Sequence, residues 1–121
     1  MFLKLVMIRK KRNKFGAIKC DQDGIKFDSK AERKRYNQLK LLKAAGEITD
    51  FALQVPFIYT HDGKKVFKYV SDFVVIHLDG TRTVEDVKGF DRKTGKFRTT
   101  ALFNLKKKLI EAQHKIVIKL V

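Results

Sequence analysis

Two short segments carry acidic side chains where a strand would ordinarily carry apolar ones. Tyr69-Val70-Ser71-Asp72-Phe73-Val74-Val75 sets an aspartate among valines and a phenylalanine, and Thr83-Val84-Glu85-Asp86-Val87-Lys88-Gly89 places two acids and a lysine in a similar run. Aspartate is disfavoured in strands, and a buried charge is costly unless something compensates it. Side chains alternate along an extended chain, so Asp72 shares a face with Val70, Val74 and Ile76, and Asp86 shares one with Val84 and Lys88. Glu85 points the other way, with Thr83 and Val87. Whether the two aspartates meet depends on the turn between them. If Leu78-Asp79-Gly80 is a three-residue loop with Gly80 left-handed, His77 pairs with Thr81 and Asp72 falls opposite Asp86, their Cβ atoms about 5 Å apart. A two-residue Asp79-Gly80 turn would oppose Asp72 to Val87 instead. The first register is preferred because it also pairs Val74 with Val84 and leaves one coherent apolar face.

Two carboxylates about 5 Å apart repel by roughly 3 kcal/mol at an effective dielectric of about 20. A divalent cation removes that difficulty. Mg²⁺ takes oxygen ligands, keeps several waters and is commonly held by one or two carboxylates completed by phosphate, so Asp72 and Asp86 form a suitable platform, with Mn²⁺ expected to substitute. Lys88 can hold or help deprotonate an attacking water, or stabilise charge developing on a phosphate. The alternative is a surface hairpin with an ordinary Asp-Lys cross-strand pair, worth under about 1 kcal/mol.

The elements that must position these residues can be read from periodicity. Asp21-Gln22-Asp23-Gly24 lies between short apolar runs and reads as a hairpin turn; its spacing fails as a calcium loop, because position one would be Lys19. Ser29-Lys30-Ala31-Glu32 has the form of a capping box, which predicts a helix from Ser29 to Ala45, stopped at Gly46, with Glu32, Tyr36, Leu39 and Lys43 on one face. Strands are expected at Phe51 to Tyr59, Val66 to Leu78 and Arg82 to Lys88, forming a three-stranded meander, with Pro56 marking an edge or a bend. After a basic loop from Gly89 to Arg98, a second helix is predicted from about Thr100 to Gln113, burying Leu102, Leu105, Leu109 and Ala112. Lys115 to Val121 then closes the chain as a strand parallel to an earlier one.

Charge indicates what the site meets. Lys and Arg number 28 against 13 Asp and Glu, a formal charge of +15 that attracts polyanions, and nucleic acid is the first partner to expect. No membrane association is expected, since no apolar stretch approaches the roughly 20 residues that cross a bilayer. The opening Met1 to Ile8 is apolar and precedes Arg9-Lys10-Lys11-Arg12, the reverse of a secretory signal, and the lone Cys20 suits a reducing interior, so a cytoplasmic location is expected. His61, His77 and His114 have no ligand-like spacing. The 121 residues are read as a basic arm (residues 1–14) and one domain (residues 15–121), too short to add a separate specificity domain.

Asp72, 13 intervening residues and then Asp86-Val87-Lys88 resemble the PD-(D/E)XK motif, with Ser71 where a proline is usual. Over about residues 13–121 the chain is also similar to small phage-encoded nuclease-like proteins of a family labelled as of unknown function, through Asp23 to Lys30, Gly46-Glu47-Ile48, Leu53-Gln54 and Glu85 to Gly89. The resemblance implies a restriction-endonuclease-like α/β fold: a mixed central sheet flanked by helices in the order α-β-β-β-α-β, preceded by a short β-hairpin. It implies that Glu32 joins Asp72, Asp86 and the Val87 carbonyl at the metal, beside Lys88; closure of the capping box is the other reading of Glu32. Gln54 is carried over as a contact to substrate or metal-bound water, or is a plain strand glutamine.

With no room for a sequence-reading domain, selectivity is expected to come from DNA shape, and a homodimer would present two matched sites to a branch point. The expected function is a metal-dependent endonuclease on branched DNA, resembling the phage and archaeal Holliday junction resolvases of DNA recombination; a restriction-like, transposase-like or nicking role stays open, as does a noncatalytic nucleic-acid-binding protein. Backbone contacts are expected from the arm (Arg9, Lys10, Lys11, Arg12, Lys14), the basic loop (Arg92, Lys93, Lys96, Arg98) and the second helix (Lys106, Lys107), with a solvated tail and a solvated helix face as the alternatives for the arm and the helix.

Overall fold

The computed structural model describes residues 19–121, so the basic arm lies outside the described residues. Its elements are β1 (Cys20–Gln22), β2 (Ile25–Phe27), α1 (Lys30–Ala44), β3 (Ile48–Leu53), β4 (Pro56–His61), β5 (Lys64–Val70), β6 (Phe73–His77), β7 (Arg82–Asp86), β8 (Phe90–Asp91), β9 (Lys96–Phe97), α2 (Ala101–His114) and β10 (Ile118–Leu120). The fold is a mixed α/β arrangement. A four-stranded sheet has the order β10-β7-β6-β3, with β10 parallel to β7 and the other pairs antiparallel. Leaving aside the three two-stranded ribbons, the chain runs α1-β3-β6-β7-α2-β10.

Local chemistry explains the ends of α1. The Ser29 hydroxyl accepts the Glu32 amide at 3.1 Å, satisfying one of the free N–H groups of the first turn. Gly46 then adopts a φ of 76°, a conformation that glycine takes without strain and that stops the helix. The β1–β2 hairpin precedes the helix and contributes Ile25 and Phe27 to a core with Tyr36, Leu39, Phe51, Phe73 and Val75.

The expected three-stranded meander forms in its pairing order, the first segment with the second and the second with the third, but it is broken in the middle. The run from Phe51 to Tyr59 breaks at Gln54 and Val55, and the run from Val66 to Leu78 breaks at Ser71 and Asp72. Between the breaks, β4 and β5 pair into a separate ribbon, while β3 pairs with β6. The cause is a left-handed residue at Gln54, φ 51°, which turns the chain out of the sheet just before Pro56. Val55, Phe57, Tyr59 and Phe67 from this segment then pack with Tyr69, Val74, Val84, Ile110 and Ile118 on the face opposite α1.

That layer also corrects the expected orientation of α2. Ile110 is fully buried and Phe103 half-buried, whereas Leu102 and Leu105 are 54% and 55% exposed and Ala112 is exposed as well. Leu109 is half-buried, and the helix turns Phe103, Lys107 and Ile110 inward, toward the aromatic ribbon: the exposed His114 ring sits edge-on to Phe57, and Gln113 bonds the backbone of Thr60. We predict that Ile110→Ala lowers unfolding free energy by about 3 kcal/mol and that Leu105→Ala changes it by under about 0.5 kcal/mol, both read from urea denaturation. Equal losses would mean that the leucine face is the packed one.

Candidate functional site

The turn between β6 and β7 sets the site. The His77 amide donates to the Thr81 carbonyl at 2.8 Å across Leu78-Asp79-Gly80, and Gly80 has a φ of 86°, so this is the three-residue loop. Val74 pairs with Val84 and Phe73 with Glu85, but the Asp72 amide also goes to Glu85, so the register shifts at Asp72 and the expected direct opposition of Asp72 and Asp86 is not continued; the Asp72 carboxylate instead meets the amide of Val87, next to Asp86. Asp72 is clamped by its main chain on both sides: its N–H donates to the Glu85 carbonyl at 3.1 Å, and its C=O accepts from the Gln54 amide at 3.0 Å.

Both aspartates are buried, Asp72 to 3% exposure and Asp86 to 2%, and each has a different compensation. One oxygen of Asp72, Oδ2, accepts the Val87 amide at 2.7 Å. Asp86 Oδ2 accepts the Tyr69 hydroxyl at 2.5 Å. Its other oxygen, Oδ1, lies 3.1 Å from Lys88 Nζ but takes no well-directed hydrogen bond from any described residue. The Lys88 ammonium also sits 4.1 Å from the centre of the Phe103 ring, against its face. Burial, foremost, and then the neighbouring Asp86 charge push the Tyr69 phenol well above its ordinary range. Tyr69 therefore stays a hydrogen-bond donor to Asp86 at any ordinary pH.

Strand alternation places Glu85 on the other face, as its spacing predicts. There Arg35 of α1 grips it with two bonds, Nε to Oε1 at 2.8 Å and Nη2 to Oε2 at 2.6 Å, the two-pronged geometry that suits a desolvated pair. Glu85 thus belongs to the packing of α1. Glu32 is buried in the first turn of the same helix. Among the described residues no group of three or more His, Cys, Asp or Glu side chains that could hold a metal ion is found.

Beside the carboxylates, a cleft of about 220 Å³ is lined by Lys68, Tyr69, Lys88, Arg98, Thr100, Phe103 and Lys106, among others. Four cations face it and no acid lines it. Of the expected phosphate contacts, Arg98 and Lys106 stand in this wall, while Arg92, Lys93 and Lys96 are exposed on the β8–β9 ribbon. Lys107 is engaged by Glu111 at 3.1 Å. Arg9, Lys10, Lys11, Arg12 and Lys14 lie outside the described residues. Gln54 is buried next to Asp72.

Sequence reading missed Tyr69, Lys68 and Phe103. Regular alternation puts Tyr69 on the face opposite Val74; the break at Ser71 and Asp72 reverses that parity and brings the phenol to Asp86. The available signal was Ser71 itself, a small polar residue in an otherwise apolar run, now fully buried with its hydroxyl on the Val55 carbonyl at 3.0 Å.

The donor set can be tested against a hard cation. Two buried carboxylates face one ammonium, which leaves about one negative charge, and one carboxylate oxygen lacks a directed donor. The main chain of Asp86 and Lys88 bonds to Val121 of the β10 side, which leaves residue 87 facing Asp72. All available donors are oxygens, and two carboxylates suffice for an ion that keeps its waters, so the residues fit Mg²⁺ or Mn²⁺.

The sequence model for the family described as protein of unknown function (DUF1064) matches residues 12–120. No curated protein and no solved structure matches the chain.

The phenol yields a prediction with a definite sign. Its pKa in the folded chain lies above the unfolded value near 10.0, so its contribution to stability is complete below that pH and declines above it, where only the unfolded chain ionises. The stability difference between wild type and Tyr69→Phe should narrow by about 1.4 kcal/mol per pH unit above pH 10. Urea denaturation at several alkaline pH values measures this. A difference constant with pH would show that the phenol ionises equally in both states.

Proposed function

The chain belongs to the DUF1064 family, whose description assigns no activity, and from its own residues we propose that it is a metal-dependent DNA endonuclease centred on Asp72, Asp86 and Lys88. The observation that carries this reading is a pair of buried aspartates, Asp86 with Lys88 3.1 Å away and Asp72 on the amide of the adjoining Val87, beside a cleft walled by cations. A sheet gains no stability from this juxtaposition, whereas a phosphodiester needs negative ligands for a cation next to positive groups for its own oxygens.

Asp72, Asp86 and the Val87 carbonyl would hold Mg²⁺ or Mn²⁺. Such an ion supplies Lewis acidity toward a phosphate oxygen and lowers the pKa of water, which makes hydrolysis feasible at neutral pH. The chain's own part is positioning and charge. Lys68, Arg98 and Lys106 draw the DNA backbone into the cleft and fix it there. Lys88, steered by Asp86 and by the Phe103 ring, places its ammonium where negative charge develops on the phosphate during attack, and can orient the incoming water. Tyr69 keeps one oxygen of Asp86 occupied, so the carboxylate cannot rotate freely.

The small domain has little surface for reading bases. Branched or distorted DNA is therefore the proposed substrate, cut by a homodimer that offers two sites. The specific reading is a junction-resolving nuclease. Restriction-like, transposase-like and nicking roles use the same chemistry.

Cleavage of a four-way junction beside linear duplex of the same sequence, with Mg²⁺ or Mn²⁺ and with EDTA, tests the proposal. Wild type should cut the junction and stop in EDTA, and Asp86→Asn should cut at least about 100-fold more slowly while still binding. Cutting unchanged by that substitution would remove the site. Binding that weakens steeply with salt, without any divalent-dependent cleavage, would favour a noncatalytic nucleic-acid-binding protein.

A further inference from the structure

We infer that the side-chain carbonyl of Gln54 is a third oxygen ligand of the cation site, an assignment that rests on the proposed reading of Asp72 and Asp86. Four non-glycine residues among those described have a left-handed backbone: Asp23, Gln54, Asp62 and Lys115. Three have local reasons. Asp23 and Asp62 each precede a glycine in a hairpin turn, and Lys115 closes α2. Gln54 is in none of these settings. It is 8% exposed and has a φ of 51° between β3 and β4. Glycine would make the same bend without steric strain.

The side chain adds a second penalty. Gln54 Oε1 is one of only two buried side-chain oxygens or nitrogens that lack a hydrogen-bond partner among the described residues; the other is Asp86 Oδ1. Buried polar atoms are nearly always satisfied, and an exception calls for a reason such as a bound ion. The two exceptions flank one residue. Gln54 bonds to Asp72 through its amide at 3.0 Å, continuing the pairing of Leu53 with Phe73, and the Asp72 carboxylate accepts the amide of Val87, next to Asp86. Gln54, Asp72 and the Asp86-Val87 step are thus linked as successive neighbours at the edge of the sheet. An ion held by Asp72 and Asp86 would take Gln54 Oε1 as a further ligand and would meet Asp86 Oδ1, which has the Lys88 ammonium 3.1 Å away but no directed hydrogen bond. An amide oxygen suits that place, since it binds a hard cation and adds no charge to the two carboxylates.

Titration of the full chain with Mn²⁺, followed by the electron paramagnetic resonance signal of the free ion, tests the assignment without relying on cleavage. Gln54→Leu and Gln54→Gly should each weaken binding about 10-fold or more. Gln54→Glu, which keeps an oxygen there, should bind at least as tightly as wild type. Urea denaturation of metal-free protein supplies the second readout: Gln54→Gly should raise the midpoint, because it removes both the strain and the partnerless oxygen. If Gln54→Leu and Gln54→Gly bind Mn²⁺ as wild type does while Asp86→Asn loses it, the glutamine assignment is wrong and the carboxylate site stands. If Asp86→Asn also binds like wild type, the ion does not sit between these residues, and both readings fall.

Discussion

The organisation of this domain follows from the need to bury consecutive carboxylates on opposite sides of one strand. In β7, alternation sends Glu85 to one face and Asp86 to the other, and neither can lose its water without a partner. Glu85 is met by Arg35, which fixes how α1 lies on the sheet. Asp86 is met by Tyr69 and Lys88, which fixes where the β4–β5 ribbon must return and where Phe103 of α2 must rest. The two helices and the ribbon are therefore placed by the charges of two neighbouring residues as much as by apolar packing.

Asymmetry between these partnerships separates structure from chemistry. Glu85 has both oxygens bound by a planar fork, a closed arrangement in which nothing remains to bind. Asp86 has one oxygen held by a neutral phenol and the other left near a flexible ammonium. Asp72 has one oxygen committed to a backbone amide. An acid fully enclosed by arginine serves the fold. Acids held by a phenol, an amide and a lysine can still accept a ligand.

The clearest signals in the sequence were local ones. The Ser29 cap, the Asp-Gly turns, the three-residue loop at Gly80 and the resulting pairing of Val74 with Val84 depend on residues close together in the chain, and each can be read from turn and capping chemistry. Parity changes were not legible. A run such as Val66 to Leu78 keeps its apolar alternation on paper, yet the break at Ser71 and Asp72 shifts every earlier side chain to the other face, and only that shift brings Tyr69 to Asp86. The inward side of α2 was hidden for a related reason. Leucines at 102, 105 and 109 make a regular stripe, but the helix is turned by aromatic rings on the ribbon, and the sequence does not reveal where that ribbon lies.

The ribbon is joined to the sheet near its base, where Gln54 meets Asp72 and Ser71 meets Val55, and it projects to an exposed tip at Asp62 and Gly63. The ribbon residue that serves the carboxylates, Tyr69, lies at this base. The tip is thus a natural place to open the chain for circular permutation or to graft a longer hairpin, since a change there travels along the ribbon before it reaches Tyr69.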